Sequence, residues 1–139
     1  MARNRIILDS GALSALAEKS RSFRTAMRKG YLSEGVRIVV PTAVIAESTT
    51  GNQQRDANVN HILKSVSTVD LDVRIARNAA ALRHAQRRKG AGTIDAIVVA
   101  TADLVPGSEV ITTDPKDLNL LTTVHGRTRV VFVADALRR

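Results

Sequence analysis

Short aliphatic runs alternate with segments of helical spacing along the chain, and this alternation restricts the possible folds more than any other feature. The runs predict strands at residues 5–8, 37–40, 67–71, 109–112 and 129–133. At least one predicted helix follows each of the first four strands. Such an order in one short domain predicts an α/β fold, a mostly parallel central sheet of four to five strands with helices on both faces.

The predicted helices begin and end at recognisable signals. Pro41 fits the first turn of a helix because its missing N–H would have no partner there, and Thr93 is expected to cap an apolar helix. In the long helix, Ile75, Ala79 and Leu82 are expected to face inward. The helices are predicted at residues 10–19, 20–34, 41–49, 61–66, 72–89 and 93–104, with a short one after Asp114.

The composition fits one domain over residues 1–139, since the chain has 139 residues and a mass of 15.0 kDa. Cysteine is absent, which excludes disulfides, thiolate zinc sites and cysteine nucleophiles. The first apolar run is too short for a signal peptide, and no run approaches the roughly 20 residues of a membrane helix. We therefore expect a cytoplasmic protein with no membrane contact.

The chain is strongly basic, with 21 Lys and Arg against 13 Asp and Glu, a net charge of +8 and a pI near 11.0. RNA, DNA, an acidic inhibitor protein and a membrane surface all fit this charge, as does a solvated basic surface, and nucleic acid is favoured. With one Tyr and two Phe, base stacking on an aromatic platform is disfavoured. One helical stripe, a candidate for holding a phosphate backbone or simply a solvated face, contains Arg74, Arg77, His84 and Arg88.

Two aspartates lie at the ends of predicted strands. Asp9 directly follows the first strand, and Asp114 lies just beyond the fourth. In an open parallel sheet, ligands collect at the carboxyl ends of the strands. Each aspartate also has a structural explanation, because a helix is predicted after each and Asp is a good N-cap. Taken singly, either residue is better explained as a cap.

Asp95 and Glu47 lie beside aliphatic sequence. Asp95 is the sole charge between Lys89 and Asp103, and a buried carboxylate without a partner is costly. Its structural alternative is stabilisation by the helix dipole. Glu47 has no Lys or Arg within one helical turn, although it is a good helix former and can point into water. Four acids on separate segments repel one another unless a cation or shared protons compensate.

Oxygen ligands without cysteine or paired histidine favour Mg²⁺ or Mn²⁺ over zinc. His61, His84 and His125 lie in polar settings and are expected at the surface. The sequence thus predicts a divalent cation held by carboxylates from separate segments.

These segments resemble the motifs of PIN-domain ribonucleases, and in particular those of VapC-type toxins from toxin–antitoxin pairs. LDSGALSAL resembles the opening motif with Asp9, and VPTAVIAES resembles the segment that carries Glu47. TIDAIVVATA is similar to the third motif with Asp95, and VITTDPKDL to the last, where either Asp114 or Asp117 completes the site. We favour Asp114 and interpret Asp117 as part of a helix start.

The resemblance implies a PIN-like domain that spans nearly the whole chain and cleaves RNA internally. Ser10 and Thr112 are candidates for hydrogen-bonding support, although small hydroxyl residues are common at strand ends. The resemblance implies that Asp9, Glu47, Asp95 and Asp114 bind Mg²⁺ or Mn²⁺ and are catalytic. It also implies a VapB-like antitoxin partner, a homodimer, and a heterotetramer or larger assembly with the antitoxin. Arg74, Arg77 and Arg88 are candidate substrate-binding residues.

Three alternatives remain beside a toxin. A PIN nuclease without an antitoxin would act in RNA processing, and a catalytically silent PIN domain would bind RNA or protein, although all four acids disfavour silence. A flavodoxin-like receiver or nucleotide-binding domain has the same architecture. The sequence contains neither a P-loop nor a G-x-G-x-x-G motif, which disfavours this last class.

Overall fold

The computed structural model of the chain describes residues 5–18, 25, 35–85, 92–105, 107–114 and 129–132. Within these residues, five strands form one sheet in the order β3-β2-β1-β4-β5, and every neighbouring pair is parallel. The predicted α/β fold with a parallel sheet is confirmed. The strands are β1 (Arg5–Leu8), β2 (Arg37–Pro41), β3 (Ser67–Val69), β4 (Glu109–Thr112) and β5 (Arg129–Phe132).

The described helices cover the sheet in two groups. Right-handed crossovers place the helices that connect β1, β2 and β3 on one face and those that connect β3 to β4 on the other. Packing agrees, because α1 contacts α2 and α3, whereas α4 packs on α5. The helices are α1 (Ser10–Glu18), α2 (Thr42–Ser48), α3 (Ala57–Leu63), α4 (Val73–Ala85) and α5 (Thr93–Asp103).

The core is aliphatic and centres on β1 and α5. Ile6, Ile7 and Leu8 in β1 are all fully buried, as expected for a central parallel strand covered on both faces. Helix α5 buries every residue from 96 to 102. The inward face predicted for α4 is confirmed, because its buried residues are Ile75, Ala79 and Leu82.

Several predicted boundaries are wrong by a few residues. Pro41 does not lie in the first turn of a helix: its φ of −63° and ψ of 140° place it at the end of β2, where it is the N-cap of α2. Thr93 is the first residue of α5 rather than its cap, and Gly92 occupies the N-cap. Strand β3 ends at Val69 because the amide of Leu71 turns to the Thr42 hydroxyl at 3.1 Å.

Helix α3 begins at Ala57, four residues before the predicted start, and ends at Leu63. Helix α4 begins at Val73 because Asp72 caps it, accepting a hydrogen bond from the Ile75 amide at 2.8 Å. The helices predicted at residues 20–34 and after Asp114 lie outside the described residues, apart from residue 25, which is helical. Residues 86–89 of the predicted long helix also lie outside them.

The sheet order places β1 beside β4 at its centre. From β1 the chain proceeds to β2 on one side, and from β4 it proceeds to β5 on the other. This is a topological switch point, where the carboxyl ends of two adjacent strands border a crevice. Asp9 follows β1 directly, and Asp114 lies two residues after β4. Within the described segments, no helix has the length and apolarity needed to cross a membrane.

Candidate active site

Asp9 is the buried centre of the site, with only 8% of its surface exposed. Its amide extends the sheet by donating to the Ile111 carbonyl at 3.3 Å. Its Oδ1 accepts a hydrogen bond from the Ala12 amide at 2.8 Å, which is an N-cap interaction with α1. The structural explanation for Asp9 is therefore correct, and it leaves the second carboxylate oxygen for other partners.

The pKa of Asp9 is raised above its ordinary value, and burial is the largest cause. Hydrogen bonds from Thr112 and Ala12 act in the opposite direction, while the charges of Asp95 and Glu47 raise the pKa further. Asp95 and Glu47 therefore lie close enough to Asp9 to disfavour its ionised form. The fold brings together three acids that are widely separated in sequence.

Glu47 lies on the last turn of α2 and is exposed. The hydroxyl of Ser10, the residue after Asp9, donates a short hydrogen bond to Glu47 Oε1. This bond joins the start of α1 to the end of α2, so the predicted support from Ser10 is present. It holds the Glu47 side chain toward the segment that carries Asp9.

Asp95 is half-buried in the first turn of α5, immediately before the buried run of that helix. A carboxylate at this position is stabilised by the helix dipole. Near the other end of the helix, Arg5 Nη2 donates to the Thr101 carbonyl at 2.9 Å. Because Arg5 begins β1 and Asp9 follows it, this contact aligns α5 with β1 and places Asp95 near Asp9.

Thr112 ends β4, is fully buried, and serves two partners. Its hydroxyl donates to the Asp9 carboxylate and accepts a hydrogen bond from the Asp114 amide at 3.0 Å. The predicted support from Thr112 is therefore also present. The Asp114 side chain is exposed, and Asp117 lies outside the described residues.

Gly11, in the first turn of α1, permits a close approach between this helix and the segment after β4. A Cβ atom at this position would collide with the Thr113 hydroxyl. The same Cβ atom would lie 3.3 Å from Thr113 Cβ and 3.6 Å from Asp9 Oδ1. Sequence reasoning did not identify Gly11 or Thr113. The available signal was a glycine at the start of the helix that follows the first strand.

The donor set fits a hard divalent cation, because it consists of carboxylate oxygens. A cation would also relieve the repulsion that raises the pKa of buried Asp9. Among the residues that the structure describes, however, no three His, Cys, Asp or Glu side chains form a ready-made metal-binding group. Asp9, Glu47 and Asp95 are thus brought within electrostatic reach without closing around one point.

The remaining predicted residues lie on the helical surfaces. His61 on α3 and His84 on α4 are exposed, as expected. Arg74 and Arg77 are exposed on α4. Arg88 and His125 lie outside the described residues.

Comparison with known proteins agrees with this architecture. In fold the chain is similar to a DNA-bound VapBC from Salmonella typhimurium, with a TM-score of 0.70, 16% identity, and coverage of 94% of this chain and 98% of that one. It is also similar to a toxin–antitoxin complex from Klebsiella pneumoniae, with a TM-score of 0.63, 22% identity, and coverage of 92% and 97%. A search of curated proteins finds no significant match. The PIN domain family model matches residues 6–120, and the chain therefore belongs to the PIN domain family.

Proposed function

We propose that the protein is a metal-dependent endoribonuclease and the toxin of a toxin–antitoxin pair. The observation that carries the proposal is the buried Asp9 carboxylate, whose pKa is raised by burial and by the neighbouring charges of Asp95 and Glu47. A fold that places like charges around a buried acid incurs a cost that a bound cation removes. Membership of the PIN domain family supports nuclease chemistry at this site.

Asp9 and Asp95, assisted by Glu47 and Asp114, would hold Mg²⁺ or Mn²⁺. When bound, the cation supplies an activated water and offsets charge on the scissile phosphate. The Ala12 amide and the Thr112 hydroxyl donate hydrogen bonds to the Asp9 carboxylate, and these bonds act against the effect of burial on its pKa. Ser10 orients Glu47. This proposal assigns no histidine or lysine as general base.

The substrate is RNA, held in part by α4. The net charge of +8 favours a polyanion. Helix α4 contains no acidic residue, and Arg74 and Arg77 are exposed in its first half. Arg88, outside the described residues, is a further candidate from the sequence.

The partner is a VapB-like antitoxin, and the complex is a homodimer of toxins assembled with antitoxin into a heterotetramer or larger particle in the cytoplasm. The similarity to VapBC and toxin–antitoxin complexes over more than nine-tenths of this chain supports the partner. An acidic or amphipathic antitoxin segment would complement the basic charge of this chain and cover the acids of the site.

The proposal is tested by incubating purified protein with defined RNAs and Mg²⁺ or Mn²⁺. Wild type is expected to cleave, and Asp95→Asn to lose at least about 100-fold in rate while it keeps its fold. Asp103→Asn, at the opposite end of α5, is the matched control and should cleave normally. Undiminished cleavage by Asp95→Asn contradicts the mechanism.

Induction in cells separates the toxin from other PIN proteins. A toxin arrests growth, and sequencing of new 5′ ends then identifies the RNA and the cut site together. Cleavage without growth arrest would assign the protein to RNA processing. Neither cleavage nor arrest would identify a silent binding module.

A further inference from the structure

A second buried carboxylate, that of Asp56, lies outside the site and organises the segment that leaves α2. Its exposed fraction is 5%. It accepts hydrogen bonds from the Thr50 amide at 2.9 and 3.0 Å, from the Thr50 hydroxyl at 3.0 Å and from the Gly51 amide at 2.9 Å. Both carboxylate oxygens of Asp56 thus accept hydrogen bonds from two consecutive residues.

These hydrogen bonds favour the ionised form of Asp56. Burial acts to raise the pKa of Asp56, but the hydrogen bonds from Thr50 and Gly51 prevail and lower it. Gly51 has a φ of +83°, a left-handed conformation that glycine adopts without strain. The carboxylate and the glycine together give the chain after α2 one defined path.

The segment after α2 is one of two parts of the chain that restrain Glu47. Helix α2 has only seven residues, and Glu47 lies three residues before Thr50. The Glu47 carboxylate is held by Ser10 at the start of α1. Helix α1 packs on α3, which begins directly after Asp56. Glu47 is therefore held at its side chain by Ser10 and through its backbone by the contact between Asp56 and Thr50.

We propose that Asp56 is a positioning residue for Glu47: by fixing the end of α2 it directs the Glu47 carboxylate toward Asp9 and so strengthens binding of the divalent cation. The inference rests on the proposed function, in which Glu47 is a metal ligand. Asp56 itself contacts Thr50 and Gly51, not Asp9.

A double-mutant cycle with Mn²⁺ titrated by calorimetry tests this role. Asp56→Asn keeps the size of the side chain and removes its charge. It should weaken Mn²⁺ binding by about tenfold, the lower end of the effect of residues that orient metal ligands. In a Glu47→Gln background, Asp56→Asn should have almost no further effect, because the residue it positions no longer binds as a carboxylate.

The matched control is Asp72→Asn, which alters the aspartate that caps α4 by accepting a hydrogen bond from the Ile75 amide. It should leave Mn²⁺ affinity unchanged. If Asp56→Asn does not fold, Thr50→Val removes one of the same hydrogen bonds and enters the same cycle. An unchanged affinity, or an equal loss with and without Glu47→Gln, overturns the positioning role.

Cleavage of RNA by the same variants distinguishes this inference from the proposed function. If wild type binds Mn²⁺ but cuts no RNA, the proposed nuclease activity is wrong. The double-mutant cycle of Mn²⁺ binding still tests the role of Asp56. A wild type that binds no Mn²⁺ overturns both.

Discussion

The Thr112 hydroxyl links the Asp9 carboxylate to the backbone of Asp114 across the centre of the sheet. It donates to Asp9 and accepts from the Asp114 amide at 3.0 Å. Since β1 and β4 are neighbours, this one hydroxyl couples the acid of the first strand to the segment after the fourth. We therefore expect the Thr112 hydroxyl to contribute to the stability of the fold.

Thr112→Val removes this hydroxyl at nearly constant volume. The free energy of unfolding should fall by about 1–3 kcal/mol, because a buried carboxylate loses a hydrogen-bond donor. Urea denaturation measures the change. Thr112→Ser keeps the hydroxyl and should lose less, whereas equal losses for Val and Ser would attribute the effect to packing of the methyl group.

Asp9→Asn is expected to stabilise the protein in EDTA at pH 7. The folded pKa of Asp9 is raised, first by burial and also by Asp95 and Glu47, so its ionisation opposes folding. Its stabilising contribution is complete below the ordinary value of 3.8 and is lost as pH rises through the folded pKa. Asn can still accept the Ala12 hydrogen bond without carrying charge.

Thermal denaturation in EDTA between pH 3 and pH 8 provides the measurement. The advantage of Asp9→Asn should be present at neutral pH and should vanish toward acidic pH. A variant that is less stable than wild type at pH 7 without a cation would show that the Asp9 charge is well compensated, contrary to its electrostatic environment.

Sequence patterns predicted the sheet and the acids because both depend on local signals. Aliphatic runs identified the strands, and an acid after such a run must lie at the carboxyl edge of a parallel sheet. It is harder to predict from sequence which of two conformations of similar local energy a residue adopts. The φ of Pro41 suits a helical first turn and an N-cap equally, and only the strand pairing of β2 decides between them.

Tertiary hydrogen bonds could not be predicted in this way. The polar stretch around Asp56 has no periodicity, and its structure depends on a carboxylate that turns back to Thr50 rather than capping α3. Similarly, the need for glycine at position 11 is evident only once Thr113, from the segment that follows β4, approaches it. These contacts are set by how the strands assemble, and no short window of sequence contains both partners.

Gly11→Ala should destabilise the protein by about 1–3 kcal/mol, because the added methyl group collides with Thr113. Thr113→Ala in the same chain removes the colliding hydroxyl and should restore part of the loss. Gly92→Ala is the comparison, since a Cβ there meets no atom within 4 Å and the variant replaces only the N-cap glycine of α5, so it should cost less. If Gly92→Ala is as harmful as Gly11→Ala, the close approach is not the cause.

Arg74 and Arg77 are expected to contact RNA phosphates. Replacing both with Ala should weaken RNA binding and reduce the salt dependence of the binding constant by roughly 0.7 per lost contact on a logarithmic scale. Fluorescence anisotropy at several salt concentrations measures the slope. Arg55→Ala with Lys64→Ala removes two exposed charges near α3, and an equal effect there would indicate attraction by net charge alone.

In the proposed site, Asp9, Glu47 and Asp95 together bind a divalent cation. Calorimetric titration of Mn²⁺ into wild type, Asp95→Asn and the control Asp103→Asn measures this binding. We expect wild type and Asp103→Asn to bind equally and Asp95→Asn to bind at least about tenfold more weakly. Equal binding by Asp95→Asn, or no binding by wild type at millimolar Mn²⁺, would contradict the account.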